Sequence, residues 1–252
     1  MSERDDFVKT LCVIPARFAS TRLPGKPLAD IAGKPMISRV YARAAKAKLV
    51  SDVIAAVDDQ RVFDAVVENG GKAMMTRKDH ATGTDRLAEV AEAHPEAELI
   101  INVQGDEPLI DPEIIDALAA VFEEDAELQM ATVKSPMQDE AEMKNPNNVK
   151  VVCDNKGYAL YFSRSLMPYP REKTGAAVYK HIGIYAYKRD FLLNYAKMEP
   201  TILEKTESLE QLRALENGYH IKVIETSQTF VGVDTPEDLA KVNDIYMNNM
   251  SI

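Results

Sequence analysis

Short apolar runs, each cut off by a turn-forming residue, recur along the first half of the chain. Residues 11–14 (Leu-Cys-Val-Ile) stop at Pro15, residues 53–57 stop at Asp58-Asp59, and residues 99–103 (Leu-Ile-Ile-Asn-Val) give way to Gln104-Gly105. Runs of this length without alternation predict strands buried on both faces of a parallel sheet. Between them the spacing turns helical. Met36, Val40, Ala44 and Ala47 share a face over 36–48, and a second helix over 61–69 is closed by Gly70-Gly71. A short strand follows over 72–76. Thr84 then reads as the N-cap of a helix that lines up Leu87, Val90 and Ala91, and Pro112 suits the first turn of another. This β-α-β-α-β order implies a parallel sheet with right-handed crossovers.

After about residue 130 the pattern changes. Residues 130–134, 149–153, 160–163 and 182–187 all read as strands, with Asp154-Asn155-Lys156-Gly157 as a hairpin turn. The expected fold class is α/β: a predominantly parallel sheet flanked by helices, with a smaller antiparallel strand-rich subdomain. That subdomain spans roughly 130–188 and is expected to pack over the sheet edge, inside one domain covering 1–252. Leu209, Leu212 and Leu215 predict a helix over 207–216, and 221–224 returns as a strand. In Thr235-Pro236-Glu237-Asp238, Thr235 reads as a helix cap, Pro236 as the first helical residue and Asp238 as the partner of the cap. Asp234 then sits just outside the helix, its carboxylate free to face outward.

Composition narrows the class without naming it. With 46% hydrophobic and 28% charged residues, 252 residues suffice for a substantial core. No apolar run approaches the ~20 residues of a membrane helix, the first residues are polar, and a cytoplasmic protein is the expectation. Thirty basic against forty acidic side chains leave a formal charge of −10, which argues against a nucleic-acid partner. Cys12 and Cys153 lie in separate strand-like contexts and read as core thiols, not a disulfide.

Two stretches carry candidate chemistry. Gly105-Asp106-Glu107-Pro108 leaves two carboxylates beyond the end of a buried strand, the edge at which open α/β sheets collect ligands. Asp106 either caps the turn before Pro112 or holds a divalent cation shared with nucleotide phosphates. Residues 15–28 place Arg17, Arg22 and Lys26 on a loop pinned by Pro15, Pro24 and Pro27. A phosphate site wants cationic donors in a pre-ordered loop, and a solvated charged loop reads equally well. Neither a Walker A loop nor a Gly-x-Gly-x-x-Gly fingerprint is present, and the four histidines show no zinc spacing.

Taken in order, Ile14-Pro15-Ala16-Arg17 through Lys26-Pro27-Leu28, Gly83-Thr84-Asp85-Arg86, Val103 through Pro108 and Asn145-Pro146-Asn147 resemble the cytidylyltransferases. So do Phe162-Ser163-Arg164, His181 through Tyr185, Leu209-Glu210-Gln211-Leu212-Arg213 and Gly232 through Leu239. Within that family the likeness is to the branch that activates 3-deoxy-manno-octulosonate (Kdo). It covers almost the whole chain and implies a nucleotidyltransferase-like fold, with CTP and Kdo as substrates and CMP-Kdo and pyrophosphate as products, serving lipopolysaccharide biosynthesis.

By this resemblance Ala16, Arg17, Arg22, Lys26, Gly83, Thr84 and Arg86 bind the nucleotide. Asp106 and Asp234 coordinate Mg2+, and with Arg17 and Lys26 they form the catalytic set. Gln104, Arg164, His181, Tyr185, Glu210 and Gln211 line the sugar pocket. A homodimer through the strand-rich subdomain is also implied. Val57, Thr82 and Met167 depart from the family pattern, and residues 169–178 with Lys205-Thr206 match it poorly, which bears on the acceptor more than on the reaction. The alternatives are an 8-amino-Kdo or sialic acid acceptor, or a non-catalytic CTP sensor.

Overall fold

The computed structural model describes residues 9–19, 23–172, 174–228 and 230–248. In chain order its elements begin with β1 (Thr10–Ala16), a 3-10 turn (Lys26–Leu28), the short strands β2 (Asp30–Ile31) and β3 (Lys34–Pro35), and α1 (Met36–Ala44). There follow β4 (Asp52–Val57), α2 (Gln60–Glu68), β5 (Ala73–Met75), α3 (Gly83–Ala93), β6 (Leu99–Asn102) and α4 (Pro112–Glu124). Then come β7 (Met130–Pro136), α5 (Glu140–Lys144), β8 (Lys150–Cys153), β9 (Ala159–Ser163) and β10 (Tyr179–Lys188). The chain closes with α6 (Arg189–Tyr195), α7 (Ile202–Glu207), α8 (Leu212–Glu216), β11 (Ile221–Glu225) and α9 (Pro236–Asn248).

The unalternating run in β1 is buried on both faces, as its pattern predicts. It pairs in parallel with β4 on one side and β6 on the other, within the order β11-β7-β10-β6-β1-β4-β5. Side chains alternate across the sheet, so Cys12, Ile14 and Ile101 pack under α1, α2 and α4, while Leu11, Val13 and Ile100 pack under α3, α6 and α8. Two cores on either side of one sheet make a three-layer α/β fold. Cys12 and Cys153 are free thiols, and burial pushes the Cys12 thiol up to about 12.

The strands after residue 130 do not lie over the sheet's edge. β10 inserts antiparallel between β6 and β7, and β11 joins β7 in parallel, so these strands extend the main sheet itself. Of the strands in this sheet only the β8–β9 pair leaves that path, attached through β8 to β10, while β2 and β3 form a separate two-stranded antiparallel sheet. The sequence pattern cannot separate the two arrangements, because it reports burial and period but not the partner across the ladder.

Two helix boundaries also differ. The helix expected over 36–48 ends at Ala44, because the Asp116 carboxylate accepts the backbone N–H groups of Lys48 and Leu49, both at 2.8 Å. The helix expected over 207–216 is broken. Ser208 takes a left-handed conformation (φ 51°) between α7 and α8, and this turn carries Glu210 and Gln211 towards the sheet edge.

Candidate active site

The ends of β1 and β6 meet at one place. Gly105 passes so close to β1 that a Cβ there would lie 2.8 Å from the Pro15 carbonyl oxygen. Only glycine allows the acidic turn after β6 to touch the cationic loop after β1. The Asp106 carbonyl accepts the Val233 N–H (2.9 Å) and so draws in the segment before α9. That segment is held as its sequence predicts: the Asp238 carboxylate accepts the N–H groups of Asp234 (3.1 Å) and Thr235 (3.0 Å), and Thr235 Oγ1 accepts the Asp238 N–H (3.2 Å).

Asp234, its side chain 43% exposed, meets Asp106 around one ammonium group. Lys26 Nζ donates to Asp106 Oδ2 (2.6 Å) and to Asp234 Oδ1 (2.8 Å). Partial burial pulls the Lys26 pKa down, the two carboxylates more than offset it, and the net shift is upward. Glu107 lies behind them with no partner for its Oε2. Burial and then the neighbouring Asp106 charge push its pKa up to about 8. Among the described residues no group of three or more His, Cys, Asp or Glu could hold a metal. The chemistry of the pair nevertheless suits a divalent cation: two converging carboxylates already hold a cation between them, and Mg2+ commonly takes one or two carboxylates plus phosphate oxygens.

Beside this pair is a cavity of about 320 Å³ lined by Ala16, Arg17, Lys26, Gln104 and Asp106, among others. Arg17 is exposed there. Arg22 lies outside the described residues. The loop is clamped through Phe18, whose N–H donates to Asp58 Oδ1 (2.9 Å) and whose ring packs under the Arg61 guanidinium (3.7 Å). The other Asp58 oxygen accepts from Arg86 Nη2 (3.2 Å), and Arg86 Nη1 donates to Thr76 Oγ1.

Arg86 is completely buried; it anchors Asp58, which anchors the loop. Thr84 is not the helix cap that its sequence suggests. The N-cap is Thr82, in a capping box with Asp85 (3.2 and 2.8 Å), and Gly83 opens the helix. The Thr84 side chain is buried, near the Glu210 carboxylate.

On the α3 side of the sheet most of the expected acceptor residues are linked. Gln104 Nε2 donates to the Gly183 carbonyl (3.0 Å), and the His181 ring tilts against Tyr185 at 5.4 Å. Burial pulls the His181 pKa down to about 3, so the ring is neutral, with Nε2 3.0 Å from Thr132 Oγ1. Burial holds the Tyr185 hydroxyl well above its ordinary value. Glu210 Oε1 and Gln211 Nε2 are buried without a hydrogen-bond partner, as is Asn102 Oδ1 on the residue paired with Tyr185, although Arg213 Nη2 lies 3.7 Å from Glu210 Oε1. Unpartnered buried polar atoms are rare, and these await a ligand or water. Arg164 stands apart, directly after β9, and reaches across to the turn before Glu210. Its guanidinium donates to the carbonyls of Glu207 (2.7 Å), Pro146 (3.1 Å) and Ser208 (3.2 Å).

Asp58, Thr76, Asn102 and Thr132 were not singled out by the sequence as site residues. Asn102 had a signal, as the one polar residue in an apolar run. Asp58 closes such a run as Asp106 does. Thr76 and Thr132 had none.

The sequence profile of the cytidylyltransferases matches residues 11–224. The chain belongs to the cytidylyltransferase family. A 3-deoxy-manno-octulosonate cytidylyltransferase from Fusobacterium nucleatum is 55% identical over 97% of this chain and 100% of its own length. One from Geobacter sulfurreducens is 56% identical over 91% of this chain and 96% of its own. Among solved structures, CMP:2-keto-3-deoxy-manno-octonic acid synthetase complexed with CTP superposes with a TM-score of 0.92 at 48% identity, covering 96% of this chain and 99% of that one. A 4-diphosphocytidyl-2C-methyl-D-erythritol synthase from Anaerococcus prevotii, at 14% identity and TM-score 0.63 over 95% of this chain and 96% of its own, shares the fold. For a cytidylyltransferase, a cationic loop facing paired carboxylates at the ends of β1 and β6 is an arrangement able to hold a triphosphate.

Proposed function

We propose that this cytidylyltransferase activates Kdo with CTP, giving CMP-Kdo and pyrophosphate for lipopolysaccharide assembly. The observation that carries the reading is the convergence of Asp106 and Asp234 on Lys26 beside the Arg17-lined cavity. The Kdo-specific names of relatives at 55% and 56% identity support the acceptor, and do not favour the amino sugar, sialic acid or sensor alternatives.

In the reaction the anomeric hydroxyl oxygen of Kdo forms a bond to the α-phosphorus of CTP. The bond from that phosphorus to its bridging oxygen breaks, the electron pair leaves with pyrophosphate, and the hydroxyl proton passes to water. Arg17 and Lys26 are placed to stabilise the charge that develops on the leaving group. Asp106 and Asp234 would hold Mg2+, which when bound supplies charge neutralisation and a more acidic hydroxyl. Gln104, His181, Tyr185, Glu210 and Gln211 orient the acceptor, His181 as a neutral hydrogen-bonding ring. The work is positioning and electrostatics, as phosphoryl-type transfers require. We place the enzyme in the cytoplasm; no described helix is long and apolar enough to cross a membrane. We also propose a homodimer through the β8–β9 hairpin.

Purified protein incubated with CTP, Mg2+ and Kdo, 8-amino-Kdo or sialic acid in turn is expected to release pyrophosphate with Kdo. Release with a rival sugar alone would end the Kdo assignment. CTP binding without turnover on any acceptor would identify a sensor.

A further inference from the structure

The space between Asp106 and Asp234 already holds a positive charge. Lys26 Nζ takes Asp106 Oδ2 and Asp234 Oδ1 at 2.6 and 2.8 Å, and its side chain is only 14% exposed. A divalent ion held by this pair needs lone pairs on the same two carboxylates. We propose that Lys26 is a tethered counter-cation that closes the Asp106–Asp234 pair to a divalent ion until a nucleoside triphosphate draws its ammonium away, so that ion and nucleotide bind as one coupled event. The inference rests on the magnesium reading given above.

Three features of the site support this exchange. Lys26 is anchored at its backbone, while its tip is held by the Asp106 and Asp234 carboxylates. Gly25, in the left-handed region (φ 67°), leads into the 3-10 turn, and Pro27 is buried beside it, while the four-carbon stem of lysine swings easily. Lys26 also lines the cavity with Arg17, so triphosphate oxygens entering there compete with the carboxylates for one ammonium. Finally, among the described residues no third His, Cys, Asp or Glu completes a metal-binding group with the pair. An ion at this pair gains from phosphate oxygens at the moment the lysine leaves. Coupling of this kind is reciprocal: whatever the nucleotide does for the ion's affinity, the ion does for the nucleotide's.

The test is titration of Mn2+ into nucleotide-free protein, with free Mn2+ followed by electron paramagnetic resonance and folding checked by thermal unfolding. Wild type and Lys26→Arg are expected to bind Mn2+ weakly. Lys26→Met is expected to bind it at least tenfold more tightly, and Lys26→Met/Asp106→Asn to lose that gain. With CTP and no acceptor, wild type is expected to bind Mn2+ beyond the amount taken by free CTP, and Asp106→Asn is not. Equal, weak binding by wild type and Lys26→Met, alongside an Asp106-dependent ion in the CTP complex, would overturn the guarding role and leave the magnesium reading standing. Tight binding by nucleotide-free wild type that Asp106→Asn abolishes would also overturn it, whether or not Lys26→Met folds. No Asp106-dependent ion under any condition would overturn both.

Discussion

Single residues set the electrical character of the site, and two of them make separable predictions. Asp106 shares its ammonium partner with Asp234 from the far end of the chain, so removing its carboxylate dismantles the cation site without touching the core. Asp106→Ala is expected to lower kcat by about 10²–10³-fold, the scale of removing one preorganised electrostatic group. A pyrophosphate-release assay checks it, and an unchanged rate would take Asp106 out of the mechanism. His181 is expected to act on stability. Its folded pKa of about 3 lies below the ordinary 6.5, so the unfolded chain binds the extra proton first as pH falls. Stability contributed by burying the neutral ring is present above about pH 6.5 and lost progressively towards pH 3, on the order of 2 kcal/mol by pH 5. His181→Asn should therefore flatten the acid limb of a denaturant-midpoint-versus-pH curve, whatever it does to the neutral value. An unaltered slope would mean that the ring is not a buried neutral group.

Elements position these groups through contacts of very different legibility. The Thr235-Pro236-Glu237-Asp238 cap was readable because it is local: every partner lies within four residues. The sequence pattern puts the helix cap at Thr84, and it falls to Thr82 because Asp85 stands three residues on to close the box. The broken helix at Ser208 was not legible. Leucines at 209, 212 and 215 satisfy one continuous helix as well as a turn followed by a helix. The bond from the Tyr195 hydroxyl to the Glu210 carbonyl (2.6 Å) pins the turn from outside the segment. Gly105 yields the prediction at this scale. Gly105→Ala places a Cβ against the Pro15 carbonyl, and relief requires the acidic turn and the cationic loop to part. A cost of about 1–3 kcal/mol is expected from such overcrowding, with kcat/KM falling at least tenfold as Gln104 and Asp106 shift. Calorimetry and steady-state kinetics check the two effects together, and full activity at wild-type stability would show that the close approach has slack.

Across the whole molecule, the parallel half of the sheet was readable because each of its strands is a short apolar run followed by a helix. The second half was not, since β7 and β10 carry the same pattern whether they build a separate patch or complete the main sheet. That ambiguity bears on assembly. Three strands end the described sheet with one partner each, and they are not equivalent as docking edges. β5 has only three residues, and β11 presents Lys222 and Glu225 and is bridged by Tyr158. Short or charged edges resist pairing. β9 has five residues, pairs only with β8 among the described strands, and leaves Leu160 63% exposed. Although the Tyr158–Lys222 bridge closes its start, an exposed apolar residue on the β9 edge suits a second copy of the chain, since identical edges can pair across a two-fold axis. Leu160→Glu puts a carboxylate next to its own symmetry mate in such a pairing and is expected to convert a dimer into a monomer. Sedimentation velocity at micromolar concentration checks this. A monomeric wild type would remove the dimer, and a Leu160→Glu dimer would move the interface away from β9. The active-site network reaches the hairpin through Ser163, at the end of β9, whose hydroxyl donates to Glu207 (2.6 Å) on the turn that leads to Glu210. The monomeric variant is therefore expected to show a raised KM for Kdo with the KM for CTP unchanged. Equal effects on both substrates would mean that dimerisation supports the fold and not the acceptor pocket.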